Sequence, residues 1–132
     1  MNWILLASFF IATSALAGEY DNPYAIITVD RARSADPNLR PVIVNRVDGE
    51  TVISGNRAVV APGKRQVTLD LPPRKCFRIA TQHTFEIDAR PCTRYNVAAL
   101  LDSPTTQDWK PVVRSEEAIG ECRSKFKVAG LK

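Results

Sequence analysis

The residues with the most pronounced chemistry in this 132-residue chain are three cysteines, Cys76, Cys92 and Cys122, and a single histidine, His83. Their spacing limits what they can do together. A thiolate nucleophile needs a base within hydrogen-bonding reach. The one imidazole lies across an expected hairpin from Cys76, with the cysteine at the far end of a strand and the histidine at the turn. Arg74, Lys75 and Arg78 would lower the Cys76 pKa, but without a base the residue reads as a buried or intermolecularly paired thiol. No C-x-x-C pair occurs, so a thioredoxin-type dithiol is not indicated. Zinc takes four nitrogen or sulfur ligands, which one histidine and dispersed cysteines do not supply. A disulfide remains, and an odd count allows one bridge and one leftover thiol. Cys92 with Cys122 is the favoured pair, because Cys92 follows Pro91 at a strand start and Cys122 ends a segment able to fold back over the sheet. Closing that loop of about 30 residues would contribute about 3 to 4 kcal/mol. The alternative pair is Cys76 with Cys92, which would require two strand ends to bend together.

Carboxylates and aromatics are the other candidates. Glu86 and Asp88 alternate on one strand face, opposite Phe85 and Ile87, and read as solvated outward residues. Ser115-Glu116-Glu117 fits the cap and start of a single helical turn before Gly120, where the dipole favours the negative charge of Glu116 and Glu117. A two-carboxylate hydrolase would need a concave site around one of these pairs. No G-x-S-x-G motif is present, and any triad would have to use His83. Tyr95 and Trp109 read as core or sheet-packing residues. The functional alternative is an exposed aromatic surface for a peptide or glycan, with Trp109, Tyr20 and Tyr24 as its candidate members. No cofactor-binding or metal-ligating set is found.

The elements that must position these residues are short strands. Tyr24–Val29 is rich in β-branched residues, and Pro41–Val47 is a second strand. Asp48-Gly49 follows as a hairpin signal, since both residues tolerate positive φ. Thr51–Ile53 continues on the far side, and Ser54-Gly55-Asn56 makes a break. Arg57–Ala61 is short and apolar, and Pro62-Gly63 suits a type II turn. Gln66–Leu71 alternates, with Val67, Leu69 and Leu71 on one face. Pro72-Pro73 ends it, because proline cannot donate to a ladder. Cys76–Thr81 and Thr84–Ala89 alternate again, and Thr81-Gln82-His83 is the expected loop between them. Arg94–Leu101 is apolar on both faces and reads as a central strand. Trp109–Arg114 carries Pro111, which predicts an edge strand. Nowhere is i, i+3, i+4 apolar spacing sustained over three turns. The pattern predicts an all-β protein, a single small antiparallel β-sandwich of about seven or eight short strands.

Met1–Ala17 contains no charged side chain and ends in Ala15-Leu16-Ala17, the small-x-small form of a cleavage site, although no Lys or Arg sits near Met1. It reads as a signal peptide, with residues 18–132 as one domain. The apolar run is short for a spanning helix, which takes about 20 residues, so no stable membrane anchor is expected after cleavage. The net charge of +4 is spread among acids, without the aromatic interleaving of a single-strand nucleic-acid binder. Nucleic acid is therefore not an expected partner, and a periplasmic or secreted location is.

The segments A-R-P-C-T-R-Y-N-V-A-A, D-W-K-P-V-V and E-A-I-G-E-C resemble an uncharacterised group of small exported proteins of Gram-negative bacteria. Upstream, V-D-G and A-P-G-K-R-Q-V-T-L are similar to a looser pattern shared by PEGA-like and carboxypeptidase-regulatory-like modules. The resemblance implies a β-sandwich and an envelope location, and it carries no catalytic residue across. The expectation is a non-enzymatic binding or structural component of the cell envelope, acting on a protein or envelope polymer. The alternatives are a small enzyme inhibitor, with Asp30–Arg40 or Asp102–Asp108 as inserting loops, and less readily a carboxylate hydrolase.

Overall fold

The computed structural model describes residues 20–29, 35–73, 81–103, 105 and 108–127. Met1–Ala17 and Cys76 lie outside the described residues, as does most of the expected 76–81 strand. Among the described residues there are nine strands and one helix: β1 (Ala25–Val29), β2 (Leu39–Arg40), β3 (Ile43–Val47), β4 (Glu50–Thr51), β5 (Arg57–Val60), β6 (Gly63–Leu71), β7 (Thr81–Ala89), β8 (Thr93–Leu101), β9 (Trp109–Ala118) and α1 (Gly120–Phe126). The fold is all-β, as expected, and two of its strands, β2 and β4, are each only two residues long.

The strands form two sheets. In the first, β8 is central: β9 lies along one side of it, β1 and β2 share the other, and β5 borders β1. The second runs β4-β3-β6-β7. Alternating side chains from both sheets meet in one core, including Ile27 from β1, Val44 from β3, Val67 and Leu69 from β6 and Val97 from β8. Each of these is fully buried, a burial that stabilises by about 1.5 to 3 kcal/mol per large aliphatic side chain.

Several expectations carry through. Asp48 and Gly49 both have positive φ, 50° and 81°, and close the β3–β4 hairpin as its two loop residues. Proline ends β6 at Leu71, and the Pro111 strand, β9, pairs only with β8 among the described residues and so lies on an edge. The central strand is β8, with inner and outer residues largely buried.

Three features differ. The β1–β8 pairing is parallel, Ile26 opposite Arg94 through Val29 opposite Val97, so the first sheet is mixed rather than wholly antiparallel. Thr81-Gln82-His83 is not a loop but the first third of β7, because the nine-residue β6 extends its partner as far as Leu71 opposite Thr81. Ser115-Glu116-Glu117 is not a helix start: β9 continues past it with a register shift near Asn96/Val97, and pairing with β8 overrides the local capping signal. The helix begins after the strand, at Gly120. It covers the outer face of the first sheet, where Ile119 and Phe126 pack with Tyr24, Ile26 and Val59 in a second, smaller core.

Candidate functional site

Cys92 and Cys122 form a disulfide, with Cα atoms 5.3 Å apart. Both sulfur-bearing residues are 1% exposed. The bond ties α1 to the turn between β7 and β8, where Cys92 has a φ of 53°, and its surroundings are the small outer core. It occupies Cys92 and so removes the Cys76–Cys92 alternative. Its role is that of a staple.

The alternative of an exposed aromatic surface does not assemble, and Trp109 is a packing residue, as its favoured reading has it. Trp109 is 5% exposed and Tyr24 7%, so neither presents a face to a ligand, and Tyr20 alone remains exposed. The Tyr20 ring stands edge-on to Tyr24, with centroids 5.0 Å apart. Trp109 lies at the margin of the main core, where its Nε1 donates to Thr81 Oγ1 over 2.7 Å. Its indole meets the His83 ring edge-to-face at 4.5 Å. This contact joins β9 of one sheet to β7 of the other, and it accounts for His83, which is exposed but belongs to a strand. Tyr95 is core, as expected, and its hydroxyl accepts from the Arg90 backbone N–H at 2.8 Å.

The carboxylates are dispersed. Glu86 accepts from the Gln66 amide across the β6–β7 ladder, Glu116 is ion-paired to Arg90, and Glu117 to Arg94 at 3.8 Å. Among the described residues, no group of three or more His, Cys, Asp or Glu is placed to hold a metal ion. No helix among them is long and apolar enough to cross a membrane.

A concavity lies elsewhere among the described residues. On one side of the sandwich the first sheet ends in β5 and the second in β4, and between them runs an open groove of about 700 Å³. Val47, Val52, Ala58 and Val60 form its apolar lining. Asp48 and Arg65 stand at one wall as an ion pair of 3.0 Å, and Arg57 stands at the other. The Asp48 carboxyl is held below the usual carboxylate value, first by the Gln66 backbone N–H it accepts and then by the Arg65 guanidinium.

The segment between β4 and β5 fixes the groove's shape. It is tied to β3 by bonds from Val52 N to Asn45 O and from Val44 N to Gly55 O, both 2.8 Å. Gly55 has a φ of 71°, and a side chain there would approach Ile43 Cγ2 at 3.1 Å. Ile53, at the rim, is fully exposed.

The hydrogen-bond phase of β5 decides what its edge offers. Val29 N donates to Asn56 O at 3.1 Å, which makes Val29 and Asn56 a hydrogen-bonded pair in the β1–β5 register. In antiparallel pairing the bonding alternates, so Arg57 and Val59 turn their main-chain N–H and C=O away from β1, toward the groove. At Arg57 these groups are met by the Ser54 hydroxyl, which donates to Arg57 O at 2.8 Å and accepts from Arg57 N at 3.3 Å. Val59 is left as the open position on the edge.

Sequence reasoning placed a short strand at Arg57–Ala61 and a break at Ser54–Asn56 but missed the groove. It also carried the hairpin through Ile53, whereas β4 ends at Thr51. The usable signal was an isoleucine directly before a Ser-Gly-Asn cluster. No protein-family model matches the chain, and neither the curated proteins nor the solved structures return a match to it.

Proposed function

We propose that the protein is an exported, non-catalytic binding module that takes up an extended segment of a partner protein along the free edge of β5. The observation that carries this reading is the groove between the β5 and β4 edges, which sets a strand edge unpaired among the described residues beside a cleft of mixed polar and apolar lining. Strand addition uses both features: main-chain bonds supply affinity, and a cleft receives alternate side chains.

The other edges are guarded in the ways sheet proteins avoid unwanted pairing. β9 carries Pro111 and a register irregularity, and β4 is two residues long. Thr81 and His83 of β7 are engaged with Trp109 of the facing sheet. β5 has no proline, lysine or bulge over Arg57–Val60. A buried disulfide is compatible with an oxidising compartment, and export rests on that and on the Met1–Ala17 pattern.

Replacing Val59 by proline removes the outward N–H without touching the bonds to β1. The variant is expected to keep the wild-type circular dichroism and unfolding midpoint but to lose at least about tenfold in affinity for extended peptides. Binding of peptides to Val59→Pro at wild-type strength, with the fold intact, would remove β5 as the site.

A further inference from the structure

Arg57 has a second environment. Besides edging the groove, it lines a recess of about 280 Å³ on the outer face of the first sheet, shared with Arg94 and floored by Tyr24, Ile26 and Ile119. The two arginines come from β5 and β8 and flank β1, opposite Thr28 and Ile26 respectively. Arg94 is held only loosely, by Glu117 at 3.8 Å, and Glu121 stands at the recess margin. The Arg57 side chain makes no hydrogen bond or ion pair among the described residues. An unpaired guanidinium beside a second cation, above an apolar floor, is the complement of a single negative group.

Strand direction says where such a group would come from. A strand added antiparallel to β5 runs from Val60 toward Arg57. At Arg57 it meets Ser54, whose hydroxyl already covers both main-chain groups of that residue, so the added strand has to stop there. The group it brings to that point is its C-terminal end. A strand added in parallel would instead begin near Arg57 and set its terminal ammonium against the guanidinium, which is repulsive. The short length of β5, four residues, matches the last few residues of a chain rather than an internal strand.

We infer that the β5 groove recognises the free C-terminus of a partner protein, with its terminal carboxylate seated at Arg57 and the side chains opposite Ala58 and Val60 entering the groove beside Val47 and Val52. This rests on the edge-strand reading above and adds the identity of the recognised segment. Arg57 is the principal anchor. Arg94 contributes from across β1 by turning away from Glu117, and Glu121 opposes binding by its charge.

The test compares two pools of N-terminally fluorescein-labelled hexapeptides with Val, Ile or Leu at alternate positions, one ending in a free carboxylate and the other in an amide. Fluorescence polarisation is expected to show the acid pool binding at least about tenfold more tightly, the scale of one charge-assisted hydrogen bond. Arg57→Gln, at an exposed position, should abolish that preference, so that acid and amide pools bind the variant alike, and Glu121→Gln should strengthen acid binding. Equal binding of the two pools overturns the carboxylate inference and leaves strand addition standing. Acid preference that survives in Arg57→Gln also overturns it. Binding of neither pool removes both this inference and the reading beneath it.

Discussion

At the residue scale, the side chains that matter are those whose polar groups are assigned twice over by the fold. Asp48 is the clearest. Its positive φ makes the β3–β4 turn, while its carboxylate accepts from Gln66 N at 2.9 Å and Arg65 Nη1 at 3.0 Å. Both partners favour the ionised form, so the folded-state pKa lies below the unfolded one. The stability this contributes is present above the unfolded value near 4 and is lost as pH falls through the lower folded value. Asp48→Asn keeps an oxygen acceptor and the tolerance of positive φ but removes the charge. It is expected to have a lower urea midpoint than the wild type at pH 6, with the two midpoints converging as pH falls toward 2. A difference that persists unchanged at acid pH would show that the turn, not the charge, is what the substitution disturbs. Asp48 was legible in sequence as a turn residue, and the same position proved to be the wall of the groove. Trp109 was legible as a packing residue, with a binding surface as the alternative; burial and the Thr81 bond make it a sheet-to-sheet tie.

At the element scale, α1 depends on what holds it down. It spans seven residues, Gly120–Phe126, and helices that short are marginal in water by themselves. Its N-cap, Ile119, makes no side-chain capping bond. The helix is held instead by the Cys92–Cys122 bond and by Ile119 and Phe126 in the outer core. Replacing both cysteines by alanine is expected to lower stability by about 2 to 5 kcal/mol in urea unfolding, the usual cost of losing a native bridge from a small domain. Amide hydrogen exchange should rise first and most in 120–126, with β6 and β8 still protected. Uniform loss of protection over the whole chain would mean that the bridge supports the sandwich rather than the helix. The cysteine pair could be proposed from spacing and strand position. That Cys122 would sit on a helix could not, because the Ser-Glu-Glu signal placed the helix earlier and β-pairing displaced it.

At the scale of the whole molecule, the parallel β1–β8 pair governs both assembly and shape. It joins Ile26–Val29 to Arg94–Val97, so most of the chain must be placed before this pairing closes. Loop-closure entropy must be met before such contacts stabilise anything, and proteins dominated by distant pairings fold in milliseconds to seconds. Stopped-flow refolding of the oxidised protein is expected in about that range, and a sub-millisecond main phase would contradict the topology argument. The same pairing leaves β5 at the sheet margin and thereby creates the groove. The sequence alone determined which positions are buried, because period-2 alternation reports the face a residue occupies: Val67, Leu69 and Leu71, or Ile87 and Ala89, are inside as their spacing required. It also determined turns at Asp48-Gly49 and the edge position of β9, since φ preference and the missing proline N–H are local properties. Only the tertiary structure decided that β1 runs parallel to β8, that Thr81–His83 belongs to a strand, and that β5 and β4 end side by side across a cleft. Alternation encodes a face but not a partner; the partner is fixed by contacts between residues distant in the chain.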